Sequence, residues 1–191
     1  HRLFEDHGPM RDRLLALTDH VETRSVTDTE LMLYALAVGI GGREDELDFA
    51  YERSLRAVPS VATVICYHDA WLDLAGIRLS SAFHAAQALV LHRDLPVSGR
   101  VRVTNRIVGG VDKGPGRAAL LFQEAVIAPE EGCAPYVTGL STIFVRDGGG
   151  FGGDFGRPAP APRPVPEGPP AQVASVQTYP DQALLFRLLG N

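Results

Sequence analysis

Lys113 is the one lysine of the chain, set in the stretch VDKGPG, while arginine occurs seventeen times. A compact ammonium on a thin stem reaches a phosphate or a carbonyl where a broad guanidinium does not fit. The competing explanation is compositional: a chain rich in Arg, Ala, Gly and Pro depletes lysine everywhere and leaves one by chance. His84, in FHAAQ, reads on its own as a half-buried strand histidine. Cys66, His68 and Asp69 carry metal-ligating atoms, but three ligands within four residues on a strand-like segment do not close a tetrahedral site. No metal is expected. GGGFGG follows a strand pattern and precedes prolines instead of a helix, so it lacks the setting of a phosphate-binding loop and is expected only to let the chain turn sharply. Ser60 and Ser141 lie in no nucleophile-elbow pattern, which leaves serine hydrolysis without support.

These residues must be positioned by local elements. VTDTELMLYALAVG, residues 26–39, opens with Thr27 and Glu30 spaced to cap backbone donors reciprocally and closes at Gly39, which predicts a short helix. From 86 to 146 the apolar period changes to two. AQALVLH, GRVRVTNRIVG, RAALLFQEAVIA and YVTGLSTIFVRD, each bounded by Pro, Gly or acidic residues, read as successive strands of an antiparallel sheet. Lys113 and Gly114 then fall in the hairpin loop between the second and third of these, at the rim of the sheet, where glycines permit positive φ and close approach of a ligand to the backbone. DGGGFGGDFGRPAPAPRPVPEGPP reads as a linker over 148–177, because its glycines deny regular structure and its prolines favour extended geometry. YPDQALLFRLLGN begins another helix, with Pro180 at its first turn and Gly190 as a stop. Tyr34-Ala35-Leu36 in the first helix matches Phe186-Arg187-Leu188 in this one, a weak sign of a repeat. The acidic run REDELD reads as a solvated face.

The chain of 191 residues is 45% hydrophobic and 21% charged, with a net charge of −5. That suits one domain with an appendage and a substantial core. Without a basic block, a nucleic-acid partner is not expected. No apolar run reaches membrane-spanning length and HRLFEDHGPM lacks the apolar centre of a signal peptide, so no membrane partner is expected. Cys66 and Cys133, far apart and in no paired spacing, read as free thiols of a reducing compartment. Residues 1–25 read as an N-terminal extension, with Met10 a candidate start.

LMLYALAVGIG, DELDFAYE, VPSVATV, FHAAQALVLHRDLPVSGRVRV, VDKGPGRAAL, GGFGG and PDQALLFRLLGN, in that order, resemble the peroxisomal-type, R-specific 2-enoyl-CoA hydratases, MaoC-like proteins of two hot-dog folds in tandem. The resemblance implies an α+β fold, an antiparallel sheet wrapped around a helix. It implies a first repeat over 26–147 and, from 178 to 191, the first helix of a second. It also implies reversible hydration of trans-2-enoyl-CoA to (3R)-3-hydroxyacyl-CoA in fatty-acid or sterol side-chain β-oxidation. No cofactor is implied, since CoA is part of the substrate. The location implied is the cytoplasm of a bacterium or, in a eukaryote, the peroxisome. The chemistry needs a base to take a proton from water attacking C3 and a donor to protonate C2, a task for a His-Asp pair around one water. Backbone N–H groups at a helix start stabilise the charge on the thioester oxygen.

By resemblance, His84-Ala85 and Lys113-Gly114 correspond to family positions that contact acyl-CoA, which makes Lys113 a CoA-binding lysine and His84 a pocket residue instead of a base. The family has Gly and an acid where this chain has Ala85 and Ala86, so the pocket is expected to differ in shape and the acyl group to be unusual. Gly39 replaces the acid in the first repeat, as the family pattern expects. Asn191 stands where the family's second repeat places its catalytic Asp, in a pattern resembling Gly-Asp-x-Asn-Pro-x-His, and Leu189 is bulkier than the pattern expects. An amide orients water but does not exchange a proton as a carboxylate does. Three readings follow: an Asp-to-Asn change, a cut chain, or a half-enzyme completed by a partner. Association with a second half or a second copy is expected, since half a dyad exposes sheet and helix surface. A non-catalytic acyl-CoA-binding module or partner subunit is the alternative function, and a hot-dog thioesterase a third.

Overall fold

The structure, a computed structural model, describes residues 10–132, 134–161 and 164–189. Asn191, Gly190, Cys133 and the first nine residues lie outside the described residues. Five antiparallel strands form the sheet in the order β1-β3-β4-β5-β2, where β1 is His20–Val26, β2 Ala82–Leu91, β3 Gly99–Asp112, β4 Ala119–Pro129 and β5 Val137–Val145. A short strand β6, Phe155–Gly156, pairs with the end of β3. Helices α1 (Met10–Ala16), α2 (Asp28–Ala37), α3 (Ala62–Ile65), α4 (Trp71–Leu74) and α5 (Gln182–Arg187) accompany the sheet. The four strands read from the period of two are all present, and β1 is a fifth. Residues 1–25 read as an N-terminal extension, and HVETRSV, whose apolar residues are Val21 and Val26, shows no apolar alternation. It joins the sheet through main-chain pairing with β3 along its whole length, so the folded unit begins ahead of residue 26.

Helix α2 begins where the sequence places it. Thr27 Oγ1 accepts a hydrogen bond from Glu30 N at 3.2 Å, but the return half of the capping pair is missing, because the Glu30 carboxylate instead takes Arg24 Nη2 at 2.8 Å. The helix ends in a left-handed Gly39, φ +82°, with Ile40 N bonded to Ala35 O at 2.8 Å and Gly39 N to Leu36 O at 3.0 Å, the double closure that a C-terminal glycine permits. Helix α5 packs against it, with the Phe186 and Tyr34 rings 6.2 Å apart and Leu189 buried in the same core.

The segment read as a linker from 148 starts later. Asp112, at the end of β3, gathers it in. Its Oδ1 accepts from Gly114 N at 2.8 Å and Gly150 N at 2.6 Å, and its Oδ2 from Gly152 N at 2.9 Å and Gly153 N at 3.0 Å. Four backbone donors hold this carboxyl well below the usual carboxylate range, Gly150 first. Arg157 N then bonds Val108 O at 2.7 Å. Glycines here deny helix and strand yet bring N–H groups close enough to surround a carboxylate. Between Gly156 and Gln182 the described residues form no helix or strand.

The interior face of the sheet carries two apolar clusters. One joins α2 and α3 to Val101, Val103, Ala125, Ile127 and Val137. The other joins Leu14 of α1 and Trp71 of α4 to Ala119, Leu121 and Val145. Between them runs one uncharged polar side chain from each of four strands: Asn105, Gln123, Ser141 and Gln87. Gln123 faces Ser141 across β4 and β5, and Ser141 faces Gln87 across β5 and β2, while Asn105 is the diagonal neighbour of Gln123.

Candidate functional site

A cavity of about 350 Å³ lies over this polar row, walled by Trp71 and Leu72 from α4, Val64 from α3, Ala82 and His84 from β2, Ile143 from β5, and Phe186 and Leu189 from the last helix region. A second, of about 550 Å³, opens on the α1 side and is lined by Leu17, His20 and Ile107. Asn105, Gln123, His68 and Trp71 line both and divide them. The mainly apolar wall with a few convergent polar groups is the make-up of a small-molecule site.

The dividing groups are locked in one orientation. The Trp71 indole can only donate, and it does so to Gln123 Oε1 at 3.2 Å. That assigns the Gln123 amide nitrogen to donation, and it bonds both His68 O and Asn105 Oδ1 at 3.0 Å. Asn105 Nδ2 is left buried with no hydrogen-bond partner among the described residues. A buried donor left unpaired costs about 1–3 kcal/mol.

His84 lies in the wall of the first cavity, its Nε2 3.1 Å from Ala86 O. Ala85 is the extra residue of a β-bulge, since the register slips between His84 and Ala86, and this bulge re-aims the strand after His84. Lys113 and Gly114 stand at the end of the hairpin as expected, but they line neither cavity. The Lys113 ammonium lies 5.7 Å from the centre of the Phe144 ring, which lines neither cavity, while Phe83, the register partner of Phe144, lies in the wall of the first. Arg146 lies over Phe83 at 5.0 Å. The sequence reading joined His84 and Lys113 in one site; His84 lies in the wall of the first cavity, and Lys113 lies outside both, against Phe144.

Cys66, His68 and Asp69 do not converge. The Cys66 thiol is buried in the core and pushed up to about 11 by desolvation. Asp69 accepts from the Tyr67 hydroxyl at 2.9 Å. His68 stacks on His20 with ring centres 3.8 Å apart. Burial first, and the neighbouring His20 second, lower the His68 pKa from its ordinary value. The fold therefore favours neutral His68, the unfolded chain protonates first as pH falls through the ordinary histidine range, and stability declines across that window. In an NMR titration the His68 ring should show a midpoint below that of a histidine in the unfolded chain, and His20→Ala should raise it. An unchanged midpoint in the variant would remove His20 as a cause.

The family profile for the MFE-2 hydratase 2 N-terminal domain matches residues 25–147. The chain belongs to this family. Among proteins similar to this hydratase 2 domain are 3-hydroxyacyl-thioester dehydratase Y of Mycobacterium tuberculosis, 32% identical over 172 residues that take in 86% of this chain and 58% of that protein. A probable enoyl-CoA hydratase 2 of Dictyostelium discoideum is 28% identical over 87% of this chain and 58% of its own length. The chain thus spans little more than half of either relative. The crystal structure of a MaoC-like dehydratase from Phytophthora capsici superposes with a TM-score of 0.79 at 22% identity, over 94% of this chain and 64% of that one. The hydratase 2 domain accordingly has the α+β hot-dog fold of the MaoC-like proteins, as the sequence led us to expect.

Trp71, Asn105 and Gln123 went unremarked in the sequence. Their signal was there: in the inward phase Val101-Val103-Asn105-Ile107 and Leu121-Gln123-Ala125-Ile127, one amide interrupts each apolar series.

Proposed function

We propose that this chain forms the acyl-binding part of an R-specific 2-enoyl-CoA hydratase, which adds water to a trans-2-enoyl-CoA to give the (3R)-3-hydroxyacyl-CoA and runs in reverse as a dehydratase. The observation that carries the reading is the apolar cavity between the sheet and the short helices α3 and α4, in a chain of the hydratase 2 family. The acyl chain enters the cavity, and the pantetheine and phosphates stay outside, where Lys113 and Arg146 supply positive charge along the rim.

The reacting pair is not among the described residues. His84 bonds a main-chain carbonyl and His68 stacks on a second imidazole, so neither holds the hydrogen-bonded carboxylate that a proton-shuttling pair requires. The position of Asn191 is the one at issue for catalysis. The chain's own share is to bind and orient the acyl group, and its partner is a second hot-dog unit or a second copy of itself.

The experiment is hydration of a medium-chain trans-2-enoyl-CoA by the full-length protein, with free CoA release measured alongside. Hydration without CoA release supports the hydratase; CoA release marks a thioesterase; binding without either marks an acyl-CoA-binding subunit. Lys113→Ala should raise KM by about fivefold to tenfold with kcat nearly unchanged, the signature of lost uniform binding. An unaltered KM would take the CoA contact away from Lys113.

A further inference from the structure

We propose that the cavity selects acyl chains that carry a neutral oxygen acceptor, a keto or hydroxyl group, and that Asn105 is the residue that reads it. The proposal rests on the acyl-binding reading above and names the substrate class for that same cavity.

Four uncharged polar side chains cross the floor of a mainly apolar site that Arg24, His68, Asp69 and His84 also line. Three of them have hydrogen-bond partners in one another or in the rest of the protein. Gln123 uses its oxygen on Trp71 and its nitrogen on His68 O and Asn105 Oδ1. Ser141 donates to Gln87 Oε1 at 2.7 Å, and Gln87 Nε2 turns to Ala88 O at 3.3 Å. The links from the indole, which cannot accept, through Gln123 to Asn105 are oriented, and they end in a buried group with no partner among the described residues: the Asn105 amide nitrogen. Asn105 is 3% exposed and lies in the walls of both cavities. A site built for a plain alkyl chain has no use for a donor here, and a leucine of similar size would fill the position in phase with Val101 and Val103.

The unused group is a donor, so its ligand must accept. An ionised carboxylate does not fit, because burying a charge demands a counter-charge, and the nearby Arg24 is held by Glu30 at 2.8 Å. A ketone or hydroxyl oxygen satisfies the amide without that demand. Discrimination by such a group arises because a chain lacking the oxygen leaves the amide unpaired once the cavity is filled.

The test compares trans-2-enoyl-CoA thioesters of equal length, one a plain chain and the others bearing a single keto group at successive carbons beyond C5, on the full-length protein. At one or two positions kcat/KM should exceed that of the plain chain by about tenfold or more. Asn105→Leu should bring the ratio of kcat/KM for the keto chain over the plain chain down to about one, whatever its effect on the absolute rates. Equal rates for all chains in the unsubstituted protein overturn the inference and leave the hydratase reading standing. A uniform loss over all chains in Asn105→Leu reduces Asn105 to a packing role and also overturns it. Should no thioester be hydrated, the hydratase reading fails, and calorimetry with the saturated thioesters decides the inference separately: a keto chain that binds no tighter than the plain one refutes it. If Asn105→Leu does not fold, the comparison in the unsubstituted protein stands by itself.

Discussion

Gly149→Ala is expected to destabilise the fold by about 3 kcal/mol, at the upper end of what overpacking a closed site costs. A Cβ at this position would run into the carbonyl oxygens of Gly114, Arg117 and Ala118, the last two at 2.9 Å, all of them backbone atoms with no rotamer to move. The same residue donates its N–H to Arg117 O at 2.8 Å, so the loop cannot back away without losing that bond. Thermal or urea denaturation of the variant checks the figure; a change below about 1 kcal/mol would show that the two loops are not packed as one body. The companion change is Asp112→Asn, which leaves one acceptor oxygen where two now serve four N–H groups. Its expected readout is local: the amides of Gly150, Gly152 and Gly153 should lose protection from hydrogen exchange while the strands keep theirs. The depressed Asp112 pKa gives the same loop a pH signature. The anchored carboxylate contributes stability in full above the ordinary carboxylate pKa, and that contribution is lost as pH falls below it toward the lowered folded value, so nothing should change between pH 6 and 8.

This double loop marks the boundary of what the sequence disclosed. VDKGPG and GGGFGG were each visible, the first as a hairpin turn and the second as a run that cannot form helix or strand, yet nothing local says that one aspartate binds both, because the partners are 38 to 41 residues apart and meet through main-chain atoms that carry no sequence signature. β1 was missed for a related reason. HVETRSV is polar on both phases, and an edge strand needs only its backbone to pair. Strands β3, β4 and β5 were legible because their inward residues are largely buried and apolar, and helix α2 because Thr27 and Gly39 punctuate it. Of the candidate site residues, His84 lies in a cavity wall and Lys113 in a hairpin outside both cavities, a distinction set by register and loop geometry that no local sequence carries. The amide row was legible in principle as interruptions of an apolar phase. What no single strand reveals is that four such interruptions align.

Alignment of that row also sets the second large effect. Ala125 lies on β4 between the polar row and the α2 cluster, 6% exposed and in the cavity wall. Ala125→Phe would project a ring into the space assigned to the acyl chain, at a stability cost of about 1–3 kcal/mol for overpacking. If the cavity of about 350 Å³ is where the distal acyl carbons reside, the ring should shorten the accepted chain. For the full-length protein, kcat/KM toward a long trans-2-enoyl-CoA should fall by about 100-fold, because each excluded methylene forfeits about 0.8 kcal/mol of burial, while a four-carbon substrate that never reaches Ala125 keeps its rate. The contrast between the two chain lengths separates occlusion from unfolding, which would lower both. The same variant distinguishes the two cavities. Ala125 borders the smaller one and not the larger, so a long chain that is still accepted would have to pass on the α1 side of Trp71 and Gln123. A long-chain rate unaffected by the phenylalanine would place the acyl group there, beyond the amide barrier, and the reading of the smaller cavity would fall.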